Sequence, residues 1–193
     1  MPLKYKRSLL ANTGPSLQTV IIDNSDVISV GDCVQIRNGN LEVIGVGAAM
    51  AGVVVDIVDK SGNSVSPKLG TLASLGTATR SAAGAVTVAA DNETVDQIAC
   101  KIDVSPFSVW SASVTGTLGA TVASKPGASY SIVSGTPGTV DETTGSRTIT
   151  ATKTLISVPS LNPANGALDD DDTTRLLVKI GTSELFDNWA ALS

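Results

Sequence analysis

Short runs of alternating apolar and polar residues, separated by turn-forming residues, dominate the sequence. Residues 33–37 alternate in this way, Asn38-Gly39-Asn40 is a strong hairpin signal, and the mainly apolar residues 41–46 predict the returning strand. The β-branched residues 53–58 predict a further strand, which ends at the turn-forming residues 59–63. Several short strands with frequent turns predict an all-β fold, either a small barrel or a sandwich.

The same pattern continues along the chain with one break. Residues 66–84 are rich in Gly, Ser, Thr and Ala, which predicts a loop or linker, and residues 183–192 hint at a short terminal helix. We therefore divide the chain into an extended N-terminal arm (1–16), a small β-barrel part (17–65), the linker (66–84) and a second β-rich part (85–193). Long loops connect the strands, and the two β parts could form separate subdomains. Further strands are predicted at residues 17–23, 85–89, 97–104, 108–114, 129–133, 147–158 and 174–182.

Composition and charge narrow the classes of partner. Aromatic residues make up only 3% of the chain, which weighs against carbohydrate modules and single-strand nucleic-acid binders, because these stack ligands on aromatic rings. A net charge of −5 weighs against binding to phosphate backbones. No stretch has the roughly 18 to 20 uncharged apolar residues of a membrane span. We expect a soluble protein made in a host cytoplasm, with neither nucleic acid nor a membrane as partner.

Residues that usually carry catalysis or bind metals are scarce. The chain has no histidine, which removes the Ser-His-Asp and Cys-His nucleophile systems and His-ligated zinc. The two cysteines, Cys33 and Cys100, are predicted to lie on different strand faces and to remain free thiols. The acidic run at residues 169–172 lacks the alternating spacing of a calcium loop, so a solvated loop is favoured over a Ca²⁺ site.

We therefore expect a chain that is not an enzyme and that carries no catalytic residue, no cofactor and no metal. The catalytic alternative is a hydrolase that uses carboxylates alone, which would need two acids held together in a cleft.

The N-terminal arm combines positive charge with apolar side chains, a composition suited to an acidic protein surface. The turn-forming residues 12–15 separate this arm from the first strand of the β part. A solubilising tail is the alternative, because chain termini are poorly ordered unless contacts hold them. The residues predicted to bind a partner are Lys4, Tyr5, Lys6, Arg7, Leu9 and Leu10.

Three short motifs carry a resemblance to a known family. They are Val30-Gly31-Asp32-Cys33-Val34, the Asn38-Gly39 hairpin and Ala51-Gly52-Val53-Val54. In this order they resemble the small β-barrel of the capsid decoration (cement) proteins of tailed bacteriophages. Residues 95–113 and 173–180 also look like parts of virion-associated phage proteins, and together these segments cover about half of the chain.

The resemblance implies a structural protein on the outside of the virion. Its partner would be the assembled major-capsid shell, which it would bind as a trimer or dimer at symmetry axes and help to resist the pressure of the packaged genome. The resemblance implies neither catalysis nor a cofactor. Two other functions stay open, namely another virion subunit in the tail or a head fibre, and a carbohydrate- or calcium-binding surface module.

Overall fold

The computed structural model of the chain describes residues 3–8, 15–45, 48–65, 76–115, 129–133, 136–146, 155–157 and 175–181. Every regular element within these ranges is a β-strand, which confirms the predicted all-β class. The terminal helix predicted at 183–192 lies outside them. In chain order the strands are β1 (Lys4–Ser8), β2 (Leu17–Ile21), β3 (Val27–Ile28), β4 (Cys33–Arg37), β5 (Asn40–Val43), β6 (Gly52–Val58), β7 (Thr79–Arg80), β8 (Val86–Thr87), β9 (Ala99–Asp103), β10 (Ser108–Thr115), β11 (Ser129–Val133), β12 (Thr136–Ser146), β13 (Leu155–Ser157) and β14 (Arg175–Ile180).

The described strands form three sheets in a sandwich, without a closed barrel. The first sheet has the order β1-β10-β12-β11-β13-β14, and it curls because β14 also pairs with β10. The second has the order β2-β9-β6-β4-β5, and the third is the small sheet β3-β8-β7. Strand β9 follows the predicted linker at 66–84 in the sequence, yet it pairs with β2 and β6, which precede the linker. Strand β7 lies within the linker stretch itself.

The hairpin between β4 and β5 follows the local sequence closely. Asn38 and Gly39 have φ angles of 52° and 88°, the left-handed conformation that a tight two-residue hairpin turn requires at both central positions. Asparagine and glycine adopt this conformation at the lowest cost. The pairing of Arg37 with Asn40 continues regularly to Val34 and Val43, which confirms the predicted hairpin.

The second sheet is the middle layer, because its two faces contribute to different clusters of buried side chains. Cys33 and Val53 belong to the cluster shared with the first sheet, whereas Val34 and Val54 belong to the cluster shared with the third sheet. This alternation follows from the two-residue period of a strand. Other members of the first cluster are Leu3, Trp110, Tyr130, Val140, Leu155 and Val178, and of the second Ile22, Ile28, Leu41, Val86 and Ile102.

The two cysteines lie on opposite faces of this middle layer. Cys33 is part of the first cluster and Cys100 part of the second, and both are buried free thiols. Burial raises the pKa of each thiol above its ordinary value. The prediction of two unpaired cysteines on different strand faces is confirmed.

One buried polar side chain ties the ends of β2 and β9 together. The Asn92 side-chain amide donates to the carbonyl oxygens of Ile22 at 2.7 Å and of Ile98 at 3.0 Å. Its oxygen accepts a hydrogen bond from the Ile98 amide at 2.9 Å. Asn92 is fully buried, so these bonds replace the water that it would otherwise bind. The start of β9 is thereby held in register beside the end of β2.

Candidate functional site

The N-terminal segment, predicted as an extended arm, contributes a strand to the first sheet. Strand β1 pairs antiparallel with β10, with Lys4 opposite Ser111 and Tyr5 opposite Trp110. The register shifts between Tyr5 and Arg7, so Lys6 forms the extra residue of a β-bulge. In the described part of the chain, β10 is the one strand that pairs with β1, which places β1 at the edge of the sheet.

Two apolar side chains hold β1 in place. Leu3 is only 4% exposed within the first cluster, and its amide donates to the Gly31 carbonyl at 2.9 Å. The Tyr5 ring meets the Trp110 ring edge to face, with centroids 5.4 Å apart and planes at 76°. An aromatic pair of this kind contributes about 0.5–1.5 kcal/mol, and burial of a leucine side chain about 1.5–3 kcal/mol. These contacts dock the segment on its own sheet.

The docked strand carries a concentration of positive charge at this edge. Its sequence KYKRS contains Lys4, Lys6 and Arg7 and no acidic residue, whereas the whole chain has a net charge of −5. Lys4 is exposed and lies on the strand face opposite Leu3 and Tyr5, since successive residues alternate between faces. The structure thus brings together four of the six predicted binding residues on one strand. The other two, Leu9 and Leu10, lie outside the described residues.

A second tie holds the chain where it enters β2. The Asp103 carboxylate accepts hydrogen bonds from the amides of Ser16 at 3.1 Å and Ser105 at 2.9 Å. The Val104 amide donates to the Ser16 carbonyl at 2.9 Å. Burial raises the pKa of Asp103, although the bonds from these amides oppose the effect. Leu3 is thus held by the turn at Gly31, and Ser16 is held by the end of β9 and the residues that follow it.

The turn that receives Leu3 belongs to the first motif of the resemblance. In this turn Asp32 is buried, and its carboxylate accepts a hydrogen bond from the Ser29 amide at 2.8 Å. The Asp32 carbonyl accepts one from the Val54 amide at 2.9 Å. Burial, reinforced by the negative charge of Asp26, raises the pKa of Asp32 from 3.8 to about 6. The carboxylate organises the turn on which the N-terminal segment docks.

Sequence reasoning did not find Leu3 or Trp110 as parts of this site. Leu3 precedes a strand in which three of the five residues are basic, so the sequence around it does not resemble that of a core strand. Trp110 is 2% exposed in the core, and its contact with Tyr5 joins residues more than a hundred positions apart. The available signal is the two-residue spacing of Leu3 and Tyr5, which predicts that they share one face of a strand.

The described residues contain neither a metal-binding group nor a membrane-spanning helix. Within the described ranges, no three His, Cys, Asp or Glu side chains form a group that could hold a metal ion. The acidic run at residues 169–172 lies outside those ranges. No helix in the described part of the chain has the length and hydropathy that a membrane crossing requires.

Comparisons of the chain with protein-family models, with curated proteins and with solved structures found no match.

Proposed function

We propose that the chain is a structural protein of a tailed-phage virion that binds the outer surface of the capsid shell as a decoration protein. The observation that carries this proposal is the basic edge strand β1, which Leu3 and Tyr5 anchor on the sandwich. The motif around Gly31 and Asp32, on which the resemblance to decoration proteins rests, is also the turn that receives Leu3. The partner is the major capsid protein, through an acidic part of its surface.

The charge distribution supports this mode of binding. A chain with a net charge of −5 and a local cluster of Lys4, Lys6 and Arg7 meets an acidic shell favourably at β1 and unfavourably elsewhere. Such a distribution orients the molecule as it approaches the shell. Because the shell presents many identical sites, an oligomer of the chain binds several of them at once, and its overall affinity exceeds that of a single copy.

A charge-reversal experiment tests the proposal. The double variant Lys4→Glu, Lys6→Glu keeps the length and backbone of β1, whereas deletion of residues 1–16 would also remove Leu3 from the core. We expect binding to purified shells of the encoding phage to weaken about tenfold, which corresponds to about 1.4 kcal/mol. The matched control is Arg37→Glu, Lys60→Glu, which changes the net charge equally at two exposed positions outside β1.

The control should bind shells as the unchanged chain does. Equal binding by the β1 variant and the unchanged chain would refute the role of β1. If the chain does not sediment with shells, electron microscopy of virions that carry a labelled copy distinguishes a tail or head-fibre position from absence from the virion.

A further inference from the structure

The exposed sheet edges of the molecule differ in how they are protected against pairing with another chain. Edge strands in natural proteins usually carry charged residues, a bulge or a covering segment. Strand β1 has three basic residues and a bulge. At the edge of β5, the Val43 amide donates to the Asp26 carboxylate at 3.0 Å, and the Leu41 carbonyl accepts from the Asp23 amide at 2.7 Å. Both edges are therefore blocked by charge or by local contacts.

Within the described part of the chain, strand β2 has none of these protections. Its sequence LQTVI is uncharged, and it pairs with β9 at every position without a register shift. Leu17, Gln18 and Thr19 are all exposed, and Leu17 retains 49% of its accessible surface. Among the described strands, β9 is the one that pairs with β2 over these residues. A regular, uncharged and partly apolar edge of this kind is a template for a further strand.

The hydrogen-bonding pattern shows which backbone groups of β2 point outward. The Ile22 amide donates to the Ile98 carbonyl at 3.1 Å, so even-numbered residues direct their backbone groups toward β9. Leu17 and Thr19 therefore direct their N–H and C=O groups away from β9. The open edge ends near Ile22, which forms a parallel bridge with β5.

We propose that two copies of the chain pair their β2 strands antiparallel about a two-fold axis at Gln18. In this register Leu17 of each copy lies opposite Thr19 of the other, and each such pair exchanges both backbone hydrogen bonds. Gln18 faces Gln18 of the second copy at a position without backbone bonds, with Cα atoms about 4.5 Å apart. The result is a sheet that continues from one copy into the other.

No charge opposes pairing with a second copy at β2, whereas positive charge opposes it at β1. The β2 pairing brings together leucine, threonine and glutamine, so no like charges meet, and the exposed Leu17 side chain loses contact with water. The equivalent two-fold pairing of β1 would place Lys6 opposite Lys6 and Arg7 opposite Tyr5, so that like charges meet at the axis. This dimer is the self-association that the proposed function includes, but its formation requires only the chain and no capsid shell.

Sedimentation velocity of the purified full chain over a concentration series tests this dimer without shells, so it can fail independently of shell binding. We expect reversible dimerisation that Thr19→Lys abolishes, because it places a cation next to the two-fold axis, opposite Leu17 of the second copy. The matched control is Thr87→Lys on β8, an equally exposed strand position whose backbone is paired on both sides. It should dimerise normally. A chain that is monomeric at every concentration, or Thr19→Lys that still dimerises, would overturn the proposal.

Disulfide trapping provides a second readout if Thr19→Lys does not fold. The variant Gln18→Cys places two thiols opposite each other across the two-fold axis, within the distance range that a disulfide bridges. We expect covalent dimers under mild oxidation, whereas Thr87→Cys should remain largely monomeric. Both native cysteines are buried and should not contribute. Equal cross-linking of the two variants would contradict the β2 register.

Discussion

Replacement of Asp32 by asparagine should change how the stability of the chain depends on pH. Asp32 is 9% exposed and accepts a hydrogen bond from the Ser29 amide, and burial raises its pKa from 3.8 to about 6. Asparagine is neutral at every pH. Its side-chain oxygen can still accept the bond from Ser29, so the substitution removes the charge while keeping the local geometry.

The sign of the effect follows from the raised pKa. The folded chain binds this proton more tightly than the unfolded chain, so the proton stabilises the fold fully below about pH 3.8 and ceases to do so as the pH rises through about 6. Each pKa unit corresponds to about 1.4 kcal/mol, so the unchanged chain loses about 3 kcal/mol of unfolding free energy over this range through Asp32. The Asp32→Asn variant avoids that loss.

Urea unfolding followed by the fluorescence of the buried Trp110 measures this difference. The unfolding free energy of Asp32→Asn relative to the unchanged chain should rise by about 3 kcal/mol between about pH 3 and about pH 7. A constant offset from the new amide group would not affect this change with pH. The control is Asp91→Asn, which removes the same charge from an exposed turn and so measures the effect of net charge alone. A pH-independent difference for Asp32→Asn would refute the reasoning.

Three further predictions concern packing and buried polar groups. Gly52→Ala should destabilise the chain by about 1–3 kcal/mol in urea unfolding, because the added Cβ would lie 2.7 Å from a backbone carbonyl oxygen of β9, whereas Gly45→Ala, with no atom within 4 Å, should have little effect. Asn92→Ala should cost about 2–4 kcal/mol, since buried backbone groups at the β2–β9 junction lose their partners; a thermal midpoint equal to that of the unchanged chain would contradict this. Cys33 and Cys100 should resist a thiol-reactive reagent until urea unfolds the chain, and rapid labelling of the folded protein would show that they are accessible.

Local sequence signals predicted the parts of the fold that depend on neighbouring residues. The Asn38-Gly39 turn requires a conformation that these residue types favour, so the β4–β5 hairpin could be located from sequence. The β-branched run that forms β6 was found for the same reason. Strand β12 was not predicted, because Thr136–Ser146 contains Pro137 and Gly138, which signal a turn when they are considered alone.

Pairings between distant segments could not be predicted in this way. Strand β1 consists mainly of charged residues, and its position depends on β10, which lies about a hundred residues further along the chain. The positive charge of the N-terminal segment is visible in the sequence, but its docking through Leu3 and Tyr5 is a tertiary contact. Strand β7 has only two residues, so the stretch at 66–84 shows no strand pattern. The strand conformation of β7 is stabilised by its pairing with β8 and not by the β-propensity of its own residues.

The position of β1 also changes how the predicted arm should act. A free arm would have to become ordered on binding and would lose conformational entropy at that step. A strand already fixed by Leu3, Tyr5 and the β10 pairing presents its cations without that loss. Binding through β1 should therefore resemble the docking of a preformed surface, with a rate that falls as salt concentration rises.

Cosedimentation of the unchanged chain with purified, assembled shells of a tailed phage that encodes it tests the proposed function most directly. The account predicts saturable binding with a fixed number of copies per shell, weakened by added salt and by charge reversal in β1. A chain that stays in the supernatant at every concentration, while the shells pellet intact, would contradict the account.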